Sequence, residues 1–303
     1  MKSQIEGLAK FINPDFQNFD IKIKPFFKRL PIQLIPSKEY VYENLNEIDI
    51  SDKTILISCG KKSVKASIIL KKKFNPFVFN IHIQNPKTHF NFFDIIVCPE
   101  HDNINKSNTV STLLALHSIN FKKNIRVQNE INFIIGGPSK YFRFGDNTVK
   151  KIYNEILFLS NHYLVNVIPS RRTPTSFIET LQKMKLKDVS IFDDQFNPTE
   201  YGNLLSKAKA QIVTWDSISM ISEAISSETK TLIFPFEEKN CPKRYENFYN
   251  NILEKNFISF YNRDLQAPIP NLIEYNSELK RKILNKIESN LWFKSNATQR
   301  INT

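Results

Sequence analysis

INFIIGGPSKYFRFGDNTVKKIYNEILFLSNHYLVNVIPSRRTP, residues 131–174, is the stretch that decides the fold class. Ile131 to Ile135 is a run of strand length, apolar but for Asn132, that breaks on two glycines. Thr148 to Ser160 then carries apolar residues at helical spacing, and Leu164 to Ile168 is a second such run, apolar but for Asn166. Short, predominantly apolar runs of this length mark strands buried on both faces, and such strands belong to parallel sheets joined by helical crossovers. Strand, helix, strand in this order predicts a βαβ unit.

Working outward, the same alternation continues. On the C-terminal side, strands are predicted over 189–192, 210–214 and 231–234, with one helix opening at Pro174 and others over 198–208, 217–226 and 242–254. Ile258, Ser259 and Phe260 close this sheet. On the N-terminal side, strands are predicted over 54–58, 77–83 and 94–97, a turn over 59–63 and a helix over 64–72. Residues 110–117 read as a short helix or connector. A polar stretch from Phe121 to Asn129 marks the boundary. The fold class expected is α/β, with two Rossmann-like domains facing across a cleft, residues 1–125 and 126–262. Residues 263–303 form a tail in which Leu279, Ile283, Ile287 and Leu291 recur every fourth position, a helix expected to pack back on the first domain.

Composition narrows the function. A chain of 303 residues with 41% hydrophobic and 24% charged residues is ordinary globular material and long enough for two cores. Its three cysteines, Cys59, Cys98 and Cys241, are far apart, which excludes a disulfide framework and a CxxC-type zinc site. No metal site is expected. No apolar run spans a bilayer and the N-terminus lacks a secretory core, so a cytoplasmic protein is expected, with a peripheral place at the inner face of the membrane as an option. Net charge is +12, which favours phosphorylated ligands or anionic surfaces. From Lys61 to Phe93 there are seven lysines and two histidines and no acid, an anion-attracting or membrane-facing rim. No zinc finger, aromatic RNA-binding motif or helix-turn-helix is present, which argues against nucleic acid.

Parallel sheets bind ligands where their strands end and helices begin. Gly136-Gly137-Pro138-Ser139-Lys140 follows a strand, and two glycines let backbone amides approach a phosphate. Ser170-Arg171-Arg172-Thr173-Pro174 places adjacent arginines before a helix, suited to a diphosphate. Asp216-Ser217-Ile218-Ser219 leads into a helix bearing Glu223 one turn on, where a carboxylate can grip ribose hydroxyls; Asp216 and Ser217 serve equally as helix caps. In the first domain, Gly60, Lys61, Lys62 and Ser63 follow one strand and Gln84, Asn85 and Lys87 another, an acceptor-side rim. Glu100, His101 and Asp102 follow a third and are the candidates for a base and its orienter.

These blocks together resemble the mitochondrial fission family named for the elongated-mitochondria phenotype, which has bacterial members. The matching pieces are ISCGKKSV at 57–64, HIQNPK at 82–87, FDIIVCPEHD at 93–102, IGGPSKYFRFG at 135–145, SRRTP at 170–174 and DSISMISEA at 216–224. That family is similar to GT-B glycosyltransferases. The resemblance implies an acceptor-side first domain and a donor-side second domain in which Gly136, Gly137, Ser139, Lys140, Arg171, Arg172, Thr173, Asp216, Ser217, Ser219 and Glu223 hold a nucleotide-diphosphate sugar. No tightly bound cofactor is implied; the nucleotide sugar is the donor substrate. The basic face of the first domain would then meet a phosphorylated or lipid-linked acceptor, or an anionic membrane surface. Alternatives are a nucleotide-sugar epimerase on the same fold, or a non-catalytic adaptor at a membrane surface. Family members open with a strand and a glycine-containing turn ahead of the stretch matched by residues 3–9, so the first domain is expected to lack that strand.

Overall fold

The computed structural model describes residues 1–122, 127–192 and 196–289, and the chain divides into two compact units. The first holds residues 1–112 and 116–118 together with the C-terminal helix from Glu274; the second holds 113–115 and 119–273. The last residue of the first sheet therefore precedes the polar 121–129 stretch, and the second unit runs past residue 262.

The first unit opens with α1 (Lys2–Ile12) and the one-turn α2 (Pro25–Lys28). Strand β1 (Thr54–Cys59) leads into α3 (Lys61–Lys73), then β2 (Val78–Ile83), β3 (Ile95–Pro99) and β4 (Thr109–Thr112). The sheet order is β1-β2-β3-β4, every pairing parallel. Strand periodicity sorts the side chains onto two faces. Phe79, Ile81, Ile83, Ile95 and Val97 pack with Leu8 and with Leu279, Ile283 and Ile287 of the C-terminal helix. Ile96 and Cys98 point the other way, onto Val64 and Ile68 of α3. Two local readings are corrected. The 110–117 connector begins as β4, a polar edge strand whose residues alternate between buried and exposed. Helix α3 starts at Lys61 because Gly60, at φ 78°, reverses the chain there without a side-chain cap.

The second unit runs β5 (Val127–Ile135), α4 (Asp146–Ser160), β6 (Leu164–Pro169), α5 (Thr175–Lys183), β7 (Val189–Ile191) and α6 (Pro198–Lys207). It continues with β8 (Ala208–Thr214), α7 (Ile218–Ser226), β9 (Lys230–Phe234), α8 (Lys243–Glu254) and β10 (Ser259–Phe260). Its parallel sheet has the order β10-β9-β8-β5-β6-β7. Strand order reverses between β5 and β8, the doubly wound arrangement, and this switch point is where such sheets leave a crevice. Ile131, Phe133, Val165, Val167, Ile212 and Leu232 form the middle of its core, all fully buried. The chain's last described helix, α9 (Ile273–Glu288), is the C-terminal helix packed in the first unit.

Each unit is thus a Rossmann-like α/β layer in its own right. Among the described residues no helix is long and apolar enough to cross a membrane, and no His, Cys, Asp and Glu group is placed to hold a metal ion.

Candidate functional site

The second unit carries a cavity of about 660 Å³ at its switch point. That size suits a small organic ligand. Its walls come from Ile134 at the end of β5, the Ser170–Arg172 turn after β6, the first two turns of α7, and Phe196 and Tyr201 at α6.

Below the cavity lies a knot of hydrogen bonds centred on Asp216, whose side chain is fully buried. Thr214 donates its hydroxyl to one carboxylate oxygen at 2.7 Å; the other accepts from the Gly137 amide at 3.2 Å and from Arg172 at 2.5 Å. Arg172 also donates to the Gly137 carbonyl at 3.1 Å, and the Gly136 amide donates to Thr214 Oγ1 at 2.8 Å. Burial raises the Asp216 pKa, and Arg172 with the surrounding donors pulls it back. The glycines are required for close approach. A Cβ on Gly136 would stand 2.1 Å from Asp216 Oδ1, and one on Gly137 would stand 2.0 Å from the Arg172 carbonyl.

This geometry corrects part of the sequence reading. Gly136 and Gly137 spend their amides inside the knot, so those donors do not face a phosphate. Asp216 has both oxygens engaged and serves as an internal brace. Thr173 closes the turn, accepting from the Ser170 amide and donating to the Ile135 and Gly136 carbonyls. Ser139 accepts from the Tyr141 amide, and Lys140 lies over the Tyr141 ring; neither lines the cavity. Arg172 lines it, but with two nitrogens committed below.

Arg171, Ser217, Ser219 and Glu223 are brought together on the cavity wall. Arg171 is exposed and makes no ion pair among the described residues. Ser217 caps α7, its oxygen accepting from the Met220 amide at 3.4 Å, which leaves the hydroxyl proton available. The Ile218 and Ser219 amides belong to the first turn, which has no intrahelical acceptors. A helix start with two hydroxyls and an arginine beside it is a ready anion site.

Deeper in the wall, burial pushes the Glu223 carboxyl up to about 7, and a hydrogen bond from the Tyr201 hydroxyl pulls it partly back. Tyr201 is in turn held well above its ordinary value, first by burial and then by the Glu223 charge. A carboxylate with so few donors around it gains from a ligand that brings some. Tyr201, Phe196 and Met220 were not found by reading the sequence. The capping box Asn197–Glu200 announces α6, but which flank of that helix faces the crevice depends on where β7 and β8 sit.

The remaining candidates belong to the first unit. His101 is buried in the turn Glu100–Asp102 after β3, its Nε2 3.9 Å from Asp102 Oδ1, while Glu100 is exposed. Ser63 folds its hydroxyl back to the Cys59 and Gly60 carbonyls, and Gln84 donates to Gln4 Oε1 at 2.9 Å. Asn85 accepts from the Lys87 amide, and Lys61, Lys62 and Lys87 are exposed. The acceptor-side rim is thus a set of self-satisfied turns edged with lysines.

A sequence profile described as Mitochondrial fission ELM1 matches residues 1–282. The chain is 24% identical over 243 residues to the mitochondrial fission protein ELM1 of Arabidopsis thaliana, covering 67% of this chain and 56% of that protein. It is 25% identical over 271 residues to the protein RP120 of Rickettsia prowazekii, covering 72% and 75%. The chain therefore spans little more than half the length of the plant relative. Among solved structures, the MnaA–UDP complex from S. aureus is similar with a TM-score of 0.46 and 10% identity over 79% of this chain and 76% of that one.

Proposed function

We propose that this chain, which belongs to the mitochondrial fission ELM1 family, binds a nucleoside-diphosphate sugar in the cavity of its second unit. The observation that carries the reading is the grouping of Arg171, the α7 start with Ser217 and Ser219, and Glu223 on one wall at the switch point of a doubly wound sheet. Arg171 and the helix start would take the diphosphate, since a guanidinium forks onto phosphate oxygens and the helix end adds partial positive charge. Glu223 would take the ribose diol, whose two hydroxyls supply the donors this carboxylate lacks. Phe196 and Met220 give the base apolar surface.

The activity we infer is glycosyl transfer of the GT-B type, with the nucleotide sugar as donor and a phosphorylated or lipid-linked acceptor. His101 is the candidate base, with the Asp102 carboxylate 3.9 Å from its Nε2 as charge partner and Glu100 as the exposed alternative. An epimerase acting on the same class of ligand would use the same pocket. His101→Ala separates the steps: turnover is expected to fall while nucleotide binding stays, and unchanged turnover would remove His101 from the mechanism. The binding claim is tested by a thermal-shift screen with uridine, guanosine, cytidine, adenosine and thymidine diphosphates and their sugars. A ligand at about 100 times its dissociation constant stabilises a fold by roughly 2.7 kcal/mol, well within reach of the method. A shift with one base supports the reading and names the nucleotide. No shift with any of them favours the non-catalytic adaptor.

A further inference from the structure

The first unit shows a surface that the nucleotide pocket does not explain. Phe26 in α2 is 72% exposed, Leu34 66% and Tyr40 57%. They do not stand alone. Phe26 packs edge-on against Phe27 with ring centroids 5.1 Å apart, and Phe27 lies 6.0 Å from Tyr40. The segments bearing Phe26 and Tyr40 are tied by the Ile23–Tyr42 bridge and by the Lys24 amide donating to the Val41 carbonyl, and Leu34 precedes Ile35, which is buried in the same cluster as Val41. Phe27 and Leu30 are anchored below on Ile35, Val41, Ile69 and Leu70. The exposed rings and the leucine therefore project from a held base.

The same surface is dense in cations. Residues 22–42 contain Lys22, Lys24, Lys28, Arg29 and Lys38 against one acid, Glu39, and Lys73 reaches over from α3 to hold that acid at 2.9 Å. Lys24, Lys28, Arg29 and Lys38 are exposed and make no ion pairs among the described residues. Gln33, next to Leu34, donates to the carbonyl of the exposed Lys87 at 2.9 Å, which brings the lysine-rich 61–87 segment to the edge of this surface.

We propose that this surface docks the protein on an anionic lipid bilayer. The side chains of Phe26, Leu34 and Tyr40 enter the headgroup–acyl boundary, and Lys24, Lys28, Arg29 and Lys38 contact the acidic headgroups around them. Charge complementarity selects the occupant: apolar tips ringed by uncommitted cations match a negatively charged interface, which takes both components at once. The inference is independent of the nucleotide reading, because every residue in it belongs to the first unit.

Cosedimentation with large vesicles of phosphatidylcholine alone, or with about a third phosphatidylglycerol, tests it. The full chain is expected to pellet with the anionic vesicles at low salt and to be released as ionic strength rises. The double variant Phe26→Ser/Leu34→Ser is expected to lose at least ten-fold in vesicle affinity. The control Ile269→Ser, which removes an equally ordinary exposed apolar side chain from the second unit, is expected to leave it unchanged. Both variants alter exposed side chains, and circular dichroism confirms that they fold. No retention at low salt, equal retention on neutral vesicles, or full retention of the double variant would each overturn the proposal. A nucleotide-induced thermal shift that survives in the double variant keeps the two readings apart.

Discussion

The two units handle charge in contrary ways. The first turns most of its cations outward, holds Lys71 on the partly buried Asp94 at 2.7 Å, and keeps its enclosed histidines neutral: His82 is fully buried with Nε2 unpaired, and burial holds both His82 and His117 down at about 4. The second encloses a carboxylate completely, tying the fully buried Asp216 to the partly exposed Arg172 on the cavity wall, and leaves Glu223 half-buried beside it. An outward-facing cation costs little and is available to a large anionic surface. An inward-facing acid must be satisfied by named donors, and those donors shape a pocket for one small ligand. The same Rossmann-like scaffold thus supports a surface in one copy and a pocket in the other.

The largest effect that would break this contrast lies in the Asp216 knot. Asp216→Ala leaves the buried Thr214 hydroxyl and Gly137 amide without their acceptor and should cost about 3 kcal/mol in urea denaturation. Glu39→Ala, which opens the exposed Lys73 pair of the first unit, should cost well under about 1 kcal/mol. Similar losses in both would erase the distinction.

Acid and base sharpen it next. A histidine depressed to about 4 from its ordinary 6.5 contributes stability that is present above pH 6.5 and lost as pH falls through 4. His82 and His117 should therefore make the protein weaken toward acid, on the order of 3 kcal/mol each at the extreme. Glu223, raised from 4.5 to about 7, has the contrary sign: its contribution is present below pH 4.5 and lost as pH rises through 7. Glu223→Gln should accordingly remove the loss of stability between pH 4.5 and 7, so that the urea midpoint rises more steeply with pH across that window, and leave the slope above it unchanged. The same variant tests the ligand claim. If ribose hydroxyls bind the ionised carboxylate, nucleotide-sugar affinity rises with pH up to about 7 in the wild type and no longer does so in Glu223→Gln.

The smallest effect on stability is expected at Arg171. It is exposed, so Arg171→Ala should leave the denaturation midpoint within about 0.5 kcal/mol while weakening nucleotide binding about ten-fold.

Much of this was legible in the sequence, for reasons that also explain the omissions. Runs such as Ile131–Ile135 and Leu164–Ile168 announce themselves because a parallel strand covered on both faces is apolar nearly throughout; the exceptions, Asn132 and Asn166, satisfy each other at 3.1 Å. Strand β4, with the sequence Thr-Val-Ser-Thr at a sheet edge, has no such run and reads as a connector. Arg171, Ser217, Ser219 and Glu223 could be picked out because they follow strands in a fold whose strand ends line crevices. Gly136, Gly137 and Asp216 stand in equally polar loops, yet face into the fold rather than the cavity. Nothing local distinguishes them, since their partners are as far away in sequence as Gly137 is from Asp216. Tyr201 and Phe196 were invisible for the same reason, and the Phe26–Leu34–Tyr40 surface because apolar residues in a sequence are ordinarily read as core.

The central claim, that the second unit's cavity is a nucleotide-sugar site, is tested most directly by calorimetric titration of the nucleotide sugar picked by the thermal screen into wild type, Arg171→Ala and Phe26→Ser/Leu34→Ser. The account predicts one saturable site, weakened about ten-fold by Arg171→Ala and untouched by the double variant. Binding equally strong in Arg171→Ala would contradict it, as would the absence of heat and of competition with every nucleotide.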